Sequence, residues 1–302
     1  MTTAAWQHIR ATFQQVWGYE TFRPPQDQTI LSLLSGQDAL IVMPTGSGKS
    51  ICFQLPAILQ TGLTLVVSPL VALMENQVEE LRAKNLAAQL LHNQVPKSQR
   101  RQTLAALERG ELRLLYLSPE TLLSPPVWQR LVQPQLKING LILDEAHCLV
   151  QWGDTFRPAY RRLGAVRPAL LRYKPAGTTM AIAAFTATAD PNAQLTITKT
   201  LKLKSPKKFL LSPYRHNLQI VSRPIWTPRG KHNEVEKFLK THRNQSGLIY
   251  GRSRREMENL AQTLRQKNYQ TTAYHAGLST GNRRQREKDW LTNKLQFIVC
   301  SN

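Results

Sequence analysis

Short runs of Val, Ile and Leu without polar alternation recur along the first part of the chain. Leu40–Met43, Leu63–Val67, Leu112–Leu117, Gly140–Leu143 and Met180–Phe185 predict strands. Unbroken apolarity is what a parallel sheet covered on both faces requires. Between these runs, Leu70–Lys84 and Ser98–Arg109 have helical spacing with charged outer faces. The alternation predicts a doubly wound α/β domain. The pattern breaks at Leu201–Arg229, which is rich in Lys, Pro and Ser. A second series then follows: strands at Gly247–Tyr250, Gln270–Tyr274 and Phe297–Cys300, with helices at Ser253–Gln266 and Ser279–Leu291. The expected organisation is a first domain over 1–205, a connection over 206–230 and a second α/β domain over 231–302. A parallel-sheet domain of about 70 residues is too small to be complete. The second domain therefore reads as cut short, with an unpaired sheet edge and uncovered apolar surface.

Composition narrows the function classes. The chain has 302 residues, 41% of them apolar, so a substantial core is expected. No stretch reaches the ~18 uninterrupted apolar residues of a membrane span. No cationic start precedes an apolar run, so the reading is an intracellular, cytoplasmic protein. Cys52, Cys148 and Cys300 are far apart and form no C-x-x-C pair. That argues against a disulfide framework and against a zinc site. Charge adds the most. Forty Lys and Arg against nineteen Asp and Glu give +21, unevenly spread: +5 over residues 1–198 and +16 over 199–302. Such a basic surface suits a polyanion, nucleic acid above all, although a solvated face gives the same count.

Two motifs carry chemistry. Met43-Pro44-Thr45-Gly46-Ser47-Gly48-Lys49-Ser50 follows a strand and opens a helix, the context of a phosphate-binding P-loop. Gly46 and Gly48 let backbone N–H groups wrap phosphates, with Thr45 and Ser47 in the same turn, and the helix N-terminus adds its positive dipole end. Lys49 is placed to reach the terminal phosphates of ATP and Ser50 to ligate Mg²⁺. Asp144-Glu145-Ala146-His147 ends the run from Gly140 and sets two carboxylates at the C-terminal edge of the sheet. Ligands of open α/β sheets bind there. Asp144 suits Mg²⁺ coordination and Glu145 suits polarising an attacking water. His147 is positioned for coupling between sites.

The P-loop, the Asp-Glu-Ala-His tetrapeptide and Thr186-Ala187-Thr188, in this order, resemble a superfamily 2 helicase. Further segments resemble the RecQ family. Trp17-Gly18-Tyr19-Glu20-Thr21-Phe22-Arg23-Pro24-Pro25-Gln26 is similar to that family's adenine-recognising motif, with Pro25 where Gly is usual. The resemblance implies that Tyr19 stacks on the base while Arg23 and Gln26 bond it. Val66–Leu70 and Tyr116–Glu120 are similar to the family's DNA-contacting strand ends. Gln151–Tyr160 resembles its aromatic-rich loop, which senses single-stranded DNA and couples it to ATP hydrolysis, with Asp154-Thr155 where His-Asp is usual. Trp152 and Phe156 offer stacking faces there and Arg157 a charge. Tyr214–Leu218, Gly247–Arg254 and Tyr274–Leu278 are similar to later family segments.

The resemblance implies two RecA-like domains with ATP-Mg²⁺ between them, DNA across the top, and a 3′→5′ DNA helicase of repair and recombination. It implies, too, arginines completing the ATP site, followed by zinc-binding and winged-helix regions; none of these segments lies within residues 1–302. The chain is thus expected to bind ATP, single-stranded DNA and duplex DNA but to be a weak or inactive motor by itself. Two rivals stand beside this reading: an RNA helicase of the same superfamily, and a non-catalytic remnant that binds nucleic acid and ATP.

Overall fold

The computed structural model describes residues 3–151, 158–214, 217–243 and 245–301. The chain divides into two compact units, Met1–Arg215 and His216–Asn302.

In the first unit the strands are β1 (Ala39–Val42), β2 (Leu63–Val67), β3 (Ala88–Leu91), β4 (Leu114–Leu117), β5 (Ile138–Leu143), β6 (Ala181–Thr186) and β7 (Lys207–Leu210). They form one parallel sheet in the order β3-β4-β2-β5-β6-β1-β7. The helices of this unit are α1 (Thr3–Trp17), α2 (Gln26–Leu34), α3 (Lys49–Leu59), α4 (Val71–Ala83), α5 (Lys97–Glu108), α6 (Pro119–Leu122), α7 (Pro125–Leu131), α8 (Cys148–Gln151), α9 (Pro158–Arg162), α10 (Val166–Leu171) and α11 (Pro191–Thr200). Every residue of β1, β2, β4 and β6 is buried. Alternate side chains enter two cores. Leu40, Leu65, Leu115, Leu141 and Ile182 serve one face, and Ile41, Val66, Tyr116, Ile142 and Phe185 the other. A third cluster, Ile9, Phe13, Ile30 and Leu55, binds α1 and α2 to the outer side of α3.

Two strands were not legible in the chain. β3 reads Ala-Gln-Leu-Leu, a weak strand signal. β7, with the burial of only Phe209, lies inside the segment 206–230 expected as a connection. It nonetheless pairs with β1 from Ala39↔Lys207 to Val42↔Leu210. A buried ion pair fixes that corner. Arg167 donates to both Asp38 oxygens at 2.6 and 2.7 Å and to the Lys202 carbonyl at 2.6 Å. Asp38 accepts further N–H bonds from Ile182 at 2.8 Å and Lys204 at 2.6 Å. Bonded on both oxygens, the pair meets the condition under which buried charges are tolerated.

The second unit holds α12 (Pro228–Thr241), β8 (Gly247–Gly251), α13 (Arg254–Gln266), β9 (Thr271–Tyr274), α14 (Thr280–Leu291) and β10 (Phe297–Ser301). Its parallel sheet runs β8-β10-β9. The last strand is therefore central, paired on both sides, and the edges are β8 and β9. Leu239, Met257, Leu260, Leu264, Phe297 and Val299 pack one face. On β8, Leu248 and Tyr250 stay exposed.

Candidate nucleotide and coupling site

The P-loop leaves the buried end of β1 and turns into α3. Gly48 takes the left-handed conformation at φ 79° and caps the helix, and Gly46 in the loop has the same φ. Such φ values favour glycine. Gly48 is constrained a second time, because a Cβ there would lie 2.3 Å from the Gln26 amide nitrogen. Thr45 is exposed, while Ser47, Lys49 and Ser50 are half-buried. Lys49 donates from Nζ to the Met43 carbonyl at 3.0 Å, which folds its ammonium over the loop. Ser47 donates from Oγ to the Pro44 carbonyl at 2.6 Å.

Gln26, expected to read adenine, is buried and bonded to the phosphate loop itself. Its Nε2 donates to the carbonyls of Ser47 at 3.1 Å and Gly48 at 3.2 Å, and its Oε1 accepts from Arg23 N–H at 2.9 Å. The Arg23 guanidinium lies 3.5 Å from the Gly46 carbonyl. Tyr19 is about half exposed, its ring 5.8 Å from that of Phe13, which in turn stacks on Phe22 at 4.1 Å. The segment from Tyr19 to Gln26 and the P-loop thus form one hydrogen-bonded piece.

Asp144 and Glu145 follow β5. Asp144 is buried; its N–H donates to the Val67 carbonyl at 2.9 Å, and one carboxylate oxygen accepts from Glu145 N–H at 3.1 Å. Burial pushes its carboxyl up to about 6, and the Glu145 charge adds to the rise, while Lys49 and Gln77 pull it back. A dry carboxylate facing one ammonium and a second carboxylate is short of positive charge. That fits a divalent cation beside Ser50 and Asp144, oxygen donors of the kind Mg²⁺ takes. Glu145 sits at φ 51°, a strained backbone for a non-glycine residue.

From Glu145 the contacts run on. The His147 Nδ1 lies 3.2 Å from a Glu145 oxygen and 3.2 Å from the Thr186 hydroxyl. Thr186, fully buried at the end of β6, donates to the Thr188 carbonyl at 3.0 Å. Its own carbonyl accepts Met43 N–H at 3.0 Å, and Ala146 N–H donates to the Phe185 carbonyl at 2.8 Å. The structure therefore brings Lys49, Asp144, Glu145, His147, Thr186 and Thr188 together along the ends of β1, β5 and β6. Trp152, Phe156 and Arg157 lie outside the described residues.

Gln77 escaped the sequence reading. It belongs to the buried stripe Met74, Gln77, Val78 and Leu81 of α4, and its side chain lies beside Asp144, where it favours the carboxylate. A polar residue on an otherwise apolar stripe was the available signal.

Residues 23–196 match the DEAD/DEAH box helicase family, and residues 230–302 match the helicase conserved C-terminal domain. The ATP-dependent DNA helicase RecQ of Synechocystis is 51% identical over 98% of this chain and 61% of its own length. The ATP-dependent DNA helicase RecQ of Haemophilus influenzae is 37% identical over 96% of this chain and 45% of its own. The chain thus spans less than two thirds of these relatives. In fold, it resembles the Mycobacterium smegmatis helicase Lhr bound to ssDNA and AMP-PNP, with a TM-score of 0.69 at 20% identity over 97% of this chain and 41% of that one. With a P-loop, an Asp-Glu-Ala-His carboxylate pair and a matching sequence over more than half its length, the chain belongs to the DEAD/DEAH box helicase family.

Proposed function

We propose that this chain is the ATP-driven motor of a RecQ-type DNA helicase, coupling ATP hydrolysis to 3′→5′ movement on single-stranded DNA and to duplex unwinding in repair and recombination. The observation that carries the reading is the unbroken line of contacts from Lys49 through Met43 to Thr186, and from Glu145 through His147 to the same threonine. A purely structural P-loop needs no such line. Polarity and the choice of DNA over RNA rest on the likeness to RecQ.

In this reading the N–H groups of Gly46, Ser47 and Gly48, with Thr45 and Lys49, would hold the triphosphate. Ser50 and Asp144 would hold Mg²⁺, and Tyr19, Arg23 and Gln26 the base. Bound ATP-Mg²⁺ supplies the phosphoanhydride whose hydrolysis drives movement. Lys49 sets a positive charge where negative charge develops. Glu145, steadied by His147, orients and deprotonates the attacking water. Thr186 and Thr188 would pass a change at Glu145 to the strand end and so to bound DNA, and Trp152, Phe156 and Arg157 are the side chains proposed to contact that DNA. No described helix is long and apolar enough to cross a membrane, and the site of action proposed is the cytoplasm.

The test is steady-state ATP hydrolysis with and without single-stranded DNA. Lys49→Ala should abolish turnover. Trp152→Ala should keep DNA binding and lose stimulation. Equal turnover of GTP and ATP would refute the base assignment, and equal stimulation by RNA and DNA would favour an RNA helicase.

A further inference from the structure

Helix α5 carries a concentration of positive charge outside the site described above. Lys97, Arg100, Arg101, Leu104, Ala105 and Glu108 recur at helical intervals and share one stripe. With Arg130 of α7 they line a hollow of about 310 Å³. Its floor is apolar, formed by buried Leu104 and half-buried Ala105. Its one acid, Glu108, is occupied: Arg130 Nε lies 2.8 Å from the carboxylate, and Arg130 is anchored by a 2.7 Å bond to the Pro126 carbonyl.

The other three cations are different. Among the described residues no carboxylate forms an ion pair with Lys97, Arg100 or Arg101. The Nε of Arg100 is withdrawn from water, with no hydrogen-bond acceptor among the described residues. Lys97 and Arg101 are exposed and Arg100 is half-buried, so their charge is open to an anion from outside. The position also matters. α5 follows β3 across residues 92–96 and leads into β4, as a crossover helix of the parallel sheet. Its first turn therefore starts on the side where the strands end, the side of the P-loop and the carboxylate pair. α6 and α7 leave the end of β4 through Ser118-Pro119 on that same side.

We propose that the groove between α5 and α7 is an additional seat for the phosphodiester backbone of nucleic acid, extending the path beyond the strand-end motifs. The proposal rests on the nucleic-acid reading above. Lys97 to Arg101 covers about 6 Å of helix axis at 1.5 Å per residue. Three cations on one stripe can thus face neighbouring phosphates of a strand, while the apolar floor lies against sugar. Nothing in such a seat reads a base, so it adds affinity and register without sequence preference.

The experiment is fluorescence anisotropy of a labelled single-stranded oligonucleotide, titrated with the full chain over a range of salt. For Lys97→Gln/Arg100→Gln/Arg101→Gln, the slope of log affinity against log salt should become shallower by about 2, at ~0.7 per lost contact on a single strand. ATP hydrolysis without DNA should not change. Arg100→Lys/Arg101→Lys should keep the slope. Where the triple variant melts early, exposed Arg101→Gln alone should still lower the slope by about 0.7. Inorganic phosphate at matched ionic strength should compete no better than chloride; strong competition would mark a discrete anion site and overturn the proposal. An unchanged slope in folded variants, beside steep salt dependence of the unmutated chain, would overturn the groove alone. Absence of DNA binding by the unmutated chain would instead overturn the nucleic-acid reading.

Discussion

Replacing Asp144 with Asn should make the protein more stable and enzymatically dead. The carboxyl is buried and its proton affinity is raised from 3.8 to about 6. The fold therefore holds this proton to higher pH than the unfolded chain does. The resulting destabilisation grows as pH rises from about 4 to about 6 and is constant above. At 1.36 kcal/mol per pH unit, the displacement is worth about 3 kcal/mol at pH 8. Asn matches the shape and keeps an oxygen for Glu145 N–H. Its new N–H₂ also has a neighbour able to accept, because the Gln77 amide beside it has a buried Oε1 with no partner among the described residues and can turn. For a unit of this size, about 3 kcal/mol corresponds to roughly 6–12 °C in melting temperature. The assay is thermal unfolding by circular dichroism, with chelator and without nucleotide, at pH 8 and below pH 4.5. The Asn variant should melt higher at pH 8, and the gap should close at acid pH. A gap of equal size at both pH values would refute the electrostatic account, as would an Asn variant that melts lower at pH 8.

Three further outcomes follow from the geometry. Thr186→Val, which removes the hydroxyl 3.2 Å from His147, should lower DNA-stimulated turnover at least tenfold, about 1.4 kcal/mol of barrier, with little change in ATP affinity by fluorescent-nucleotide titration. Gly48→Ala must adopt φ 79° and displace Gln26, so the same titration should show nucleotide affinity falling by more than tenfold. Asp38→Ala would strand a buried guanidinium, and urea unfolding should show a loss of about 3–5 kcal/mol, much of it recovered in Asp38→Ala/Arg167→Met.

Much of the first sheet was legible because its strands are unbroken apolar runs that stop at chemistry. Ile-Val before the P-loop and Leu-Ile-Leu before Asp144 each announce a strand and the residues it delivers. β7 was hidden because an edge strand needs only one buried side chain, Phe209, among lysines that suggest a linker. The division of the chain was likewise blurred, since composition changes before the sheet is finished. At the site, residue types and spacing revealed Lys49, Asp144 and Glu145, whose roles are set by backbone position. Sequence could not show that His147 meets Thr186 or that Gln77 meets Asp144. Those pairings join residues 39 and 67 positions apart, and adjacency of β5, β6 and α4 alone creates them.

The clasp of Gln26 on the P-loop has a consequence for how a base would be told apart from its rivals. Both N–H donors of this amide already have acceptors, and its oxygen already accepts from Arg23 N–H. Donating to a base would therefore mean an exchange of partners, while the oxygen, with one of its two lone pairs engaged, could take a further N–H. Exchanged hydrogen bonds nearly cancel in free energy, whereas a buried amide left without partners loses about 1–3 kcal/mol. The bonds donated by this amide to the correct base would then add little to the strength of binding. A wrong base, unable to complete the exchange, must either leave the clasp shut or strand the amide. Discrimination through this amide would thus rest largely on penalties for the wrong nucleotide.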